Sequence, residues 1–157
     1  MAIHRITMFA MAATLTSVVV APTAHGEPSS FQFLSPSGNV GCQLGTGPHG
    51  QAYAWCKANE HDWVASGSDD CPVANVPGAI GEPGGEDLQL VENGAPCFGF
   101  VMSQLFFSGQ YAPPTVGLGD SRSMGDITCA VQVSEVTCTD RPTGRFFKVS
   151  RDSYELG

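Results

Sequence analysis

Apolar and polar residues alternate along short runs of the chain, and turn-forming residues separate these runs. The clearest run spans residues 125–140, Gly-Asp-Ile-Thr-Cys-Ala-Val-Gln-Val-Ser-Glu-Val-Thr-Cys-Thr-Asp. A two-residue turn at Val133 and Ser134 sets Cys129 opposite Cys138 and places the apolar residues on one face. The alternation therefore predicts a β-hairpin whose two arms are joined by a disulfide.

A second hairpin with the same character is predicted near the start of the chain. Strands are predicted at residues 31–34, 39–44 and 51–58, with a turn at 35–38. Pairing Cys42 with Cys56 fixes the register of the last two strands. One face then holds only apolar residues, Val40, Cys42, Leu44, Ala54, Cys56 and Ala58, and the other holds Gly41, Gln43, Gly45, Tyr53, Trp55 and Lys57.

A third hairpin is predicted at residues 87–100, with Asn93-Gly94 as a type I′ turn. Its Cys97 is then left to pair with Cys71, which lies in a long loop rich in Gly, Pro, Ser and Asp at residues 66–85.

The remaining segments are less regular. We expect a strand or short helix at 101–107, a second long loop at 109–123, and a last strand at 145–150. In the tail, Tyr154 is expected to pack back on the body. No internal repeat is predicted beyond the recurring hairpins.

These elements predict an all-β fold, a small disulfide-stapled antiparallel sandwich or barrel built from hairpins with long loops. Six cysteines allow 15 connectivities. The two hairpin registers favour sequential pairing, which is Cys42–Cys56, Cys71–Cys97 and Cys129–Cys138.

The first residues are typical of a secretory signal peptide. Arg5 is followed by an apolar stretch at 6–21 and by small residues at 24–26, so cleavage is expected near Gly26. Residues 27–157 then form a single secreted β-domain with no transmembrane segment, in the extracellular medium or cell envelope. An even cysteine count in an oxidising compartment indicates disulfides rather than metal ligands or nucleophiles.

The net charge of −8 disfavours a nucleic-acid partner, because phosphate binding needs clusters of basic residues. No cofactor and no metal site are predicted. Several acids could supply calcium ligands, but their spacing matches no known calcium loop, which favours ordinary surface acidity. They are Glu60, Asp62, Asp69, Asp70, Glu82, Glu86 and Asp87, with His61 among them.

Three pieces of sequence resemble a family of small secreted actinobacterial proteins of unknown function. They are residues 33–42 (Phe-Leu-Ser-Pro-Ser-Gly-Asn-Val-Gly-Cys), Gly-Asp-Ile-Thr-Cys at 125–129 with Val-Thr-Cys at 136–138, and Thr143 through Tyr154. Arg145 and Phe146 replace a His-Gly of that family, and Glu135 replaces a Gly. The resemblance implies secretion and disulfides, and no activity.

Two candidate sites follow from the residue types. Gly119-Asp120-Ser121 is similar to the nucleophile triplet of some serine hydrolases, with His61 and Asp62 as partners, but no nucleophile elbow surrounds it, so no catalytic residue is predicted. Tyr53 and Trp55, beside Gln43, could stack on a sugar or another apolar ligand. They could equally cover Gly45 or pack beneath a loop or second sheet.

The sequence therefore favours a secreted, non-enzymatic binding or interaction module, with a glycan or envelope component as the expected partner at the aromatic face. Two alternatives stay open. One is a secreted hydrolase, and the other is a purely structural or inhibitory domain.

Overall fold

The computed structural model describes residues 30–47, 49–65, 71, 85–99 and 112–157, and these residues contain ten strands. The strands are β1 Ser30–Leu34, β2 Val40–Thr46, β3 Ala52–Ala58, β4 Asp87–Val91, β5 Cys97–Gly99, β6 Ser121–Met124, β7 Ile127–Val131, β8 Glu135–Asp140, β9 Phe146–Ser150 and β10 Tyr154–Leu156. No helix occurs in these described ranges, and so none that could cross a membrane.

Two five-stranded antiparallel sheets pack face to face. β1 to β5 form the first sheet and β6 to β10 the second, each in chain order. The inward residues of both sheets share one core that includes Phe33, Leu44, Leu88, Ile127 and Phe147. The predicted fold class is confirmed as a disulfide-stapled β-sandwich.

All three predicted disulfides are present. Cys42 faces Cys56 and Cys129 faces Cys138 at directly paired positions, with Cα separations of 4.1 Å and 3.9 Å. Both bridges point into the core from opposite sheets, and the sulfurs of Cys56 and Cys138 lie 3.7 Å apart. The two sheets therefore meet through stacked disulfides.

The predicted type I′ turn at Asn93-Gly94 is wrong in position and in type, because the turn is centred on Glu92 and Asn93. The Gly94 N–H donates to the Val91 carbonyl at 2.8 Å, and Asn93, not Gly94, takes a positive φ of 62°. Asn93 tolerates this conformation and is held there by its N–H, which donates to Asp140 at 3.0 Å. The shifted register pairs Cys97 with Gln89, so Cys97 points away from the core.

Two strands were not predicted. β6 falls inside the predicted loop at 109–123, and β10 falls inside the predicted tail. Both are edge strands with exposed residues, so neither carries the apolar alternation that marks a strand in sequence. Tyr154 packs back as expected, edge-on against Phe98 and Trp63. The predictions for 101–107 and for most of 66–85 lie outside the described residues.

The recurrence of the hairpins extends to whole sheets, because the two sheets repeat one plan. Each is a five-stranded meander in which a disulfide joins the second strand to the third. Gly38-Asn39-Val40-Gly41-Cys42 leads into β2 as Gly125-Asp126-Ile127-Thr128-Cys129 leads into β7. Equivalent hydrogen bonds follow: the Asn59 N–H donates to Asn39 O at 2.8 Å, and the Arg141 N–H to Asp126 O at 3.1 Å.

The two copies run in opposite directions, so equivalent turns lie at opposite ends of the sandwich. At one end, the Ser37 N–H donates to the Val133 carbonyl at 2.9 Å and joins the β1–β2 turn to the β7–β8 turn. We name it the pocket end. At the other, the closed end, the β4–β5 turn contacts the β6–β7 turn and the end of β8.

Candidate functional site

The structure brings together the three residues predicted to bind a ligand. Tyr53 and Trp55 stack on each other with ring centroids 4.8 Å apart. The Gln43 side chain donates to the Tyr53 hydroxyl at 3.0 Å and accepts a hydrogen bond from Gln32 at 2.8 Å. This cluster lies on the outer face of the first sheet, as the register predicts.

The two aromatic rings are buried, each only 4% exposed. Gln89 and Cys97, on the neighbouring strands of the same sheet, are buried as well. The Trp55 indole N–H has no hydrogen-bond partner among the residues that the structure describes. A ligand reaches neither ring unless the surrounding chain rearranges, which accords with the packing interpretation. The binding role of Tyr53, Trp55 and Gln43 stays a prediction.

The hydrolase candidates have separate surroundings. Both ring nitrogens of His61 are engaged, Nδ1 with the Trp63 carbonyl at 2.8 Å and Nε2 with a Glu86 carboxylate oxygen at 3.1 Å. Its ring stacks on Trp63 at 4.1 Å. Ser121 begins the exposed edge strand β6 and makes no hydrogen bond to His61.

Three of the four acids considered for calcium that the structure describes face a lysine or an arginine. Glu60 and Asp62 lie 3.4 Å and 3.6 Å from the Arg151 guanidinium, and Asp87 lies 3.7 Å from Lys57. Asp69, Asp70 and Glu82 lie outside the described residues. Within the described part of the chain, one group of three potential ligands converges, Cys42, Cys56 and Cys138, and their sulfurs are all in disulfides.

A polar pocket at the pocket end was not predicted from the sequence. It has a volume of about 380 Å³, within the range of about 300–1,000 Å³ that small ligands occupy. Four separate segments form it: the β1–β2 turn, the residues after β3, the β7–β8 turn and the residue after β9. Its lining is Ser37, Gly38, Asn39, Asn59, Glu60, Ser134 and Arg151.

Asn39 holds two of these segments together. Its side-chain amide donates to the Glu60 carbonyl at 3.0 Å, and its side-chain oxygen accepts from the Glu60 N–H at 3.0 Å. Gly38 before it has a φ of 74°, a left-handed conformation that favours glycine. The pocket wall is therefore fixed by the Gly-Asn sequence, while Arg151 reaches across it to Glu60.

Large exposed hydrophobic residues accompany the pocket. Val64, Leu118 and Val133 are 77%, 65% and 54% exposed. Val133 precedes Ser134 of the pocket lining. Leu118 lies at the same end because the N–H of the next residue, Gly119, donates to the Val131 carbonyl at 2.9 Å. Val64 follows Asp62, whose N–H donates to Arg151 O at 3.0 Å. Polar and apolar binding groups thus share one end.

Two of the pieces that carry the family resemblance meet in this pocket, residues 33–42 through Asn39 and residues 143–154 through Arg151. In the sequence, the one feature that links these two pieces is that both carry the family resemblance. The sequence could not show their contact, since it depends on how the sheets stack. A scan of protein-family models, a search of curated proteins and a search of solved structures each found no match to this chain. The resemblance stays a prediction.

Proposed function

We propose that this protein is a secreted, non-enzymatic binding module of the cell envelope or medium, and that it binds its partner at the pocket end. The observation that carries the proposal is the polar pocket, formed by four separate segments at the end of the sandwich to which exposed Val133 also belongs. Convergent polar groups in a pocket fix the orientation of what binds there.

The scaffold supports this role. Two disulfides, Cys42–Cys56 and Cys129–Cys138, and the shared core hold the strands that carry the turns of the pocket end, so little ordering is needed when a partner binds. Disulfides persist in oxidising compartments, which supports secretion. A glycan of the envelope suits the pocket, because hydroxyl, amide, carboxylate and guanidinium groups can all hydrogen-bond to sugar hydroxyls.

The proposal is tested by retention of the purified protein on insoluble cell-wall polysaccharide. We expect the wild type to be retained and the double variant Asn59→Ala/Arg151→Ala to lose at least about tenfold in affinity, equivalent to about 1.4 kcal/mol. Arg145→Ala at the closed end is the matched control and should bind like the wild type. If neither the wild type nor the control is retained, or if the double variant binds as well as the wild type, the proposal fails.

A further inference from the structure

The closed end contains a carboxylate at the position that corresponds to the pocket. One oxygen of Glu92 accepts the Ala52 N–H at 3.0 Å, and the other accepts the Asp126 N–H at 2.7 Å. A single side chain thus satisfies two backbone donors, one from each sheet. Hydrogen bonds to an ionised acceptor are about twice as strong as neutral ones, so Glu92 ties the sheets together here.

Each part of this arrangement has a counterpart at the pocket end. Ala52 and Ser134 each lie four residues before the second cysteine of their disulfide, and Asp126 and Asn39 each lie three residues before the first. Glu92 and Arg151 each lie four residues beyond the residue that pairs with the second cysteine. The counterparts Ser134, Asn39 and Arg151 all line the pocket.

One end is filled and the other is open. A Cβ added to Gly125 would overlap the Glu92 carboxylate, whereas a Cβ added to Gly38 would meet nothing within 4 Å. The difference arises after the fourth strand of each sheet. The Glu92 N–H donates to Ala52 O at 3.0 Å, and its side chain turns back over Ala52. β9 ends at Ser150, which still pairs with Glu135, and the side chain of the next residue, Arg151, faces Glu60 and Asp62 instead of Ser134.

We propose that the pocket binds a carboxylate group of a ligand, in the place that the Glu92 carboxylate occupies at the closed end. This inference rests on the proposed function for the location of the site and adds the chemistry of the ligand. The Asn39 N–H makes only a long bond to Ser37 Oγ, at 3.3 Å, and is available to a stronger acceptor. Ser134 is an exposed residue whose N–H makes no hydrogen bond within the described residues, and it supplies the second donor.

Arg151 supplies the charge that this ligand needs. Its guanidinium is 55% exposed and its contacts to Glu60 and Asp62, at 3.4 Å and 3.6 Å, leave donors free for a carboxylate. The net charge of −8 opposes an anion at long range. At physiological ionic strength such repulsion is screened beyond about 8 Å, so the groups inside the pocket decide, namely the backbone donors and the Arg151 charge against that of Glu60.

The test is an NMR titration of the isotope-labelled full-length protein with sodium acetate, followed backbone amide by amide. We expect saturable shifts at Asn39 and Ser134. Their counterparts Asp126 and Ala52 should not move, because Glu92 already occupies them. Acetamide and sodium chloride at equal concentration are the controls. Equal shifts with acetamide, shifts at both ends, or no saturable shift would overturn the inference.

Arg151→Glu gives an independent check, because it places a carboxylate where Glu92 has one. We expect the new side chain to occupy the pocket and to abolish the acetate shifts, while Arg122→Glu, of equal charge change, keeps them. If acetate still binds to the Arg151→Glu variant, the ligand carboxylate does not bind at the proposed position. If that variant does not fold, the wild-type titration alone decides.

Two further probes separate the sources of a carboxylate. Glucuronate represents an acidic sugar, and N-acetylglutamate represents an acidic amino-acid residue. The probe that binds more tightly identifies which of the two carries the carboxylate. If the protein is retained on neutral polysaccharide but no carboxylate shifts its amide signals, the proposed function stands and the carboxylate site is rejected. If carboxylates shift the amide signals but the protein is not retained on polysaccharide, the carboxylate site stands and the envelope polysaccharide is rejected as the partner.

Discussion

Glu92 shows how one side chain can determine whether part of a surface is a structural contact or a binding site. At the closed end its carboxylate accepts two backbone hydrogen bonds, at 3.0 Å and 2.7 Å, and fills the space beside Gly125. At the corresponding position of the second sheet the residue is Arg151, whose side chain faces Glu60 and Asp62 instead. The exchange of an acid for a base leaves an open pocket.

The first prediction concerns the stability that Glu92 contributes. We expect Glu92→Ala to lower the free energy of unfolding by about 2 kcal/mol, because bonds to charged groups contribute about 1.5–3 kcal/mol each when buried and less when water reaches them. Urea denaturation measures the change. Glu155→Ala is the control: Glu155 is an exposed acid that raises the pKa of Lys148 through a hydrogen bond, and its loss should change stability little. Equal losses of unfolding free energy in both variants would contradict the stabilising role of the Glu92 hydrogen bonds.

At the level of elements, the hairpins were the part of the fold that the sequence predicted best. The register that pairs Cys129 with Cys138 places Ile127, Val131 and Val136 on the same face as both cysteines, and the structure has that register. The Asn93 turn was missed because its conformation depends on Asp140 of the other sheet. β6 was missed because an exposed edge strand such as Ser121–Met124 needs no apolar alternation.

The candidate site was predictable only in part, because it too depends on contacts between distant parts of the chain. The register placed Tyr53 and Trp55 on one face, but their burial depends on what lies over that face, which a strand pattern does not specify. The pocket depends on contacts between turns distant in sequence, such as that of Ser37 with Val133. Local sequence predicts strand pairing well, whereas packing between sheets is set by the whole chain.

The second prediction concerns the stacked disulfides. Removal of Cys129–Cys138 or of Cys42–Cys56 by paired alanines should each cost about 3 kcal/mol in the chain-entropy model. Removal of both should cost less than the sum by at least about 0.5 kcal/mol, because the first removal already abolishes the 3.7 Å sulfur contact between the sheets. Unfolding by guanidinium chloride measures all the variants.

The third disulfide gives the control for this cycle. Cys71–Cys97 lies outside the core cluster, so its removal should be additive with removal of either core bridge. Strict additivity of the two core bridges would show that their contact carries no energetic coupling.

At the scale of the whole molecule, the sandwich consists of two copies of one meander packed face to face, each with a disulfide between its second and third strands. The repeated plan makes each copy a reference for the other. Where the copies agree, as in the hydrogen bonds to Asn39 and Asp126, the feature serves the fold. Where they differ, as at Glu92 and Arg151, the difference marks the site that we propose for a ligand.

The third prediction follows from this correspondence. Glu92→Ala should create at the closed end a space like that of the pocket end, with the N–H groups of Ala52 and Asp126 free. Added acetate should then restore part of the lost stability, by about 1.4 kcal/mol at a concentration ten times its dissociation constant. Thermal unfolding with and without acetate measures the rescue, and acetamide should have no effect.

The order of the disulfides along the chain also bears on how the protein is made. Each bridge joins cysteines that are consecutive in the sequence, and no bridge encloses or crosses another. A chain that emerges from a channel with its amino end first, and is oxidised as its thiols appear in pairs, forms only native bridges. Such a protein can mature without an isomerase to correct its pairing.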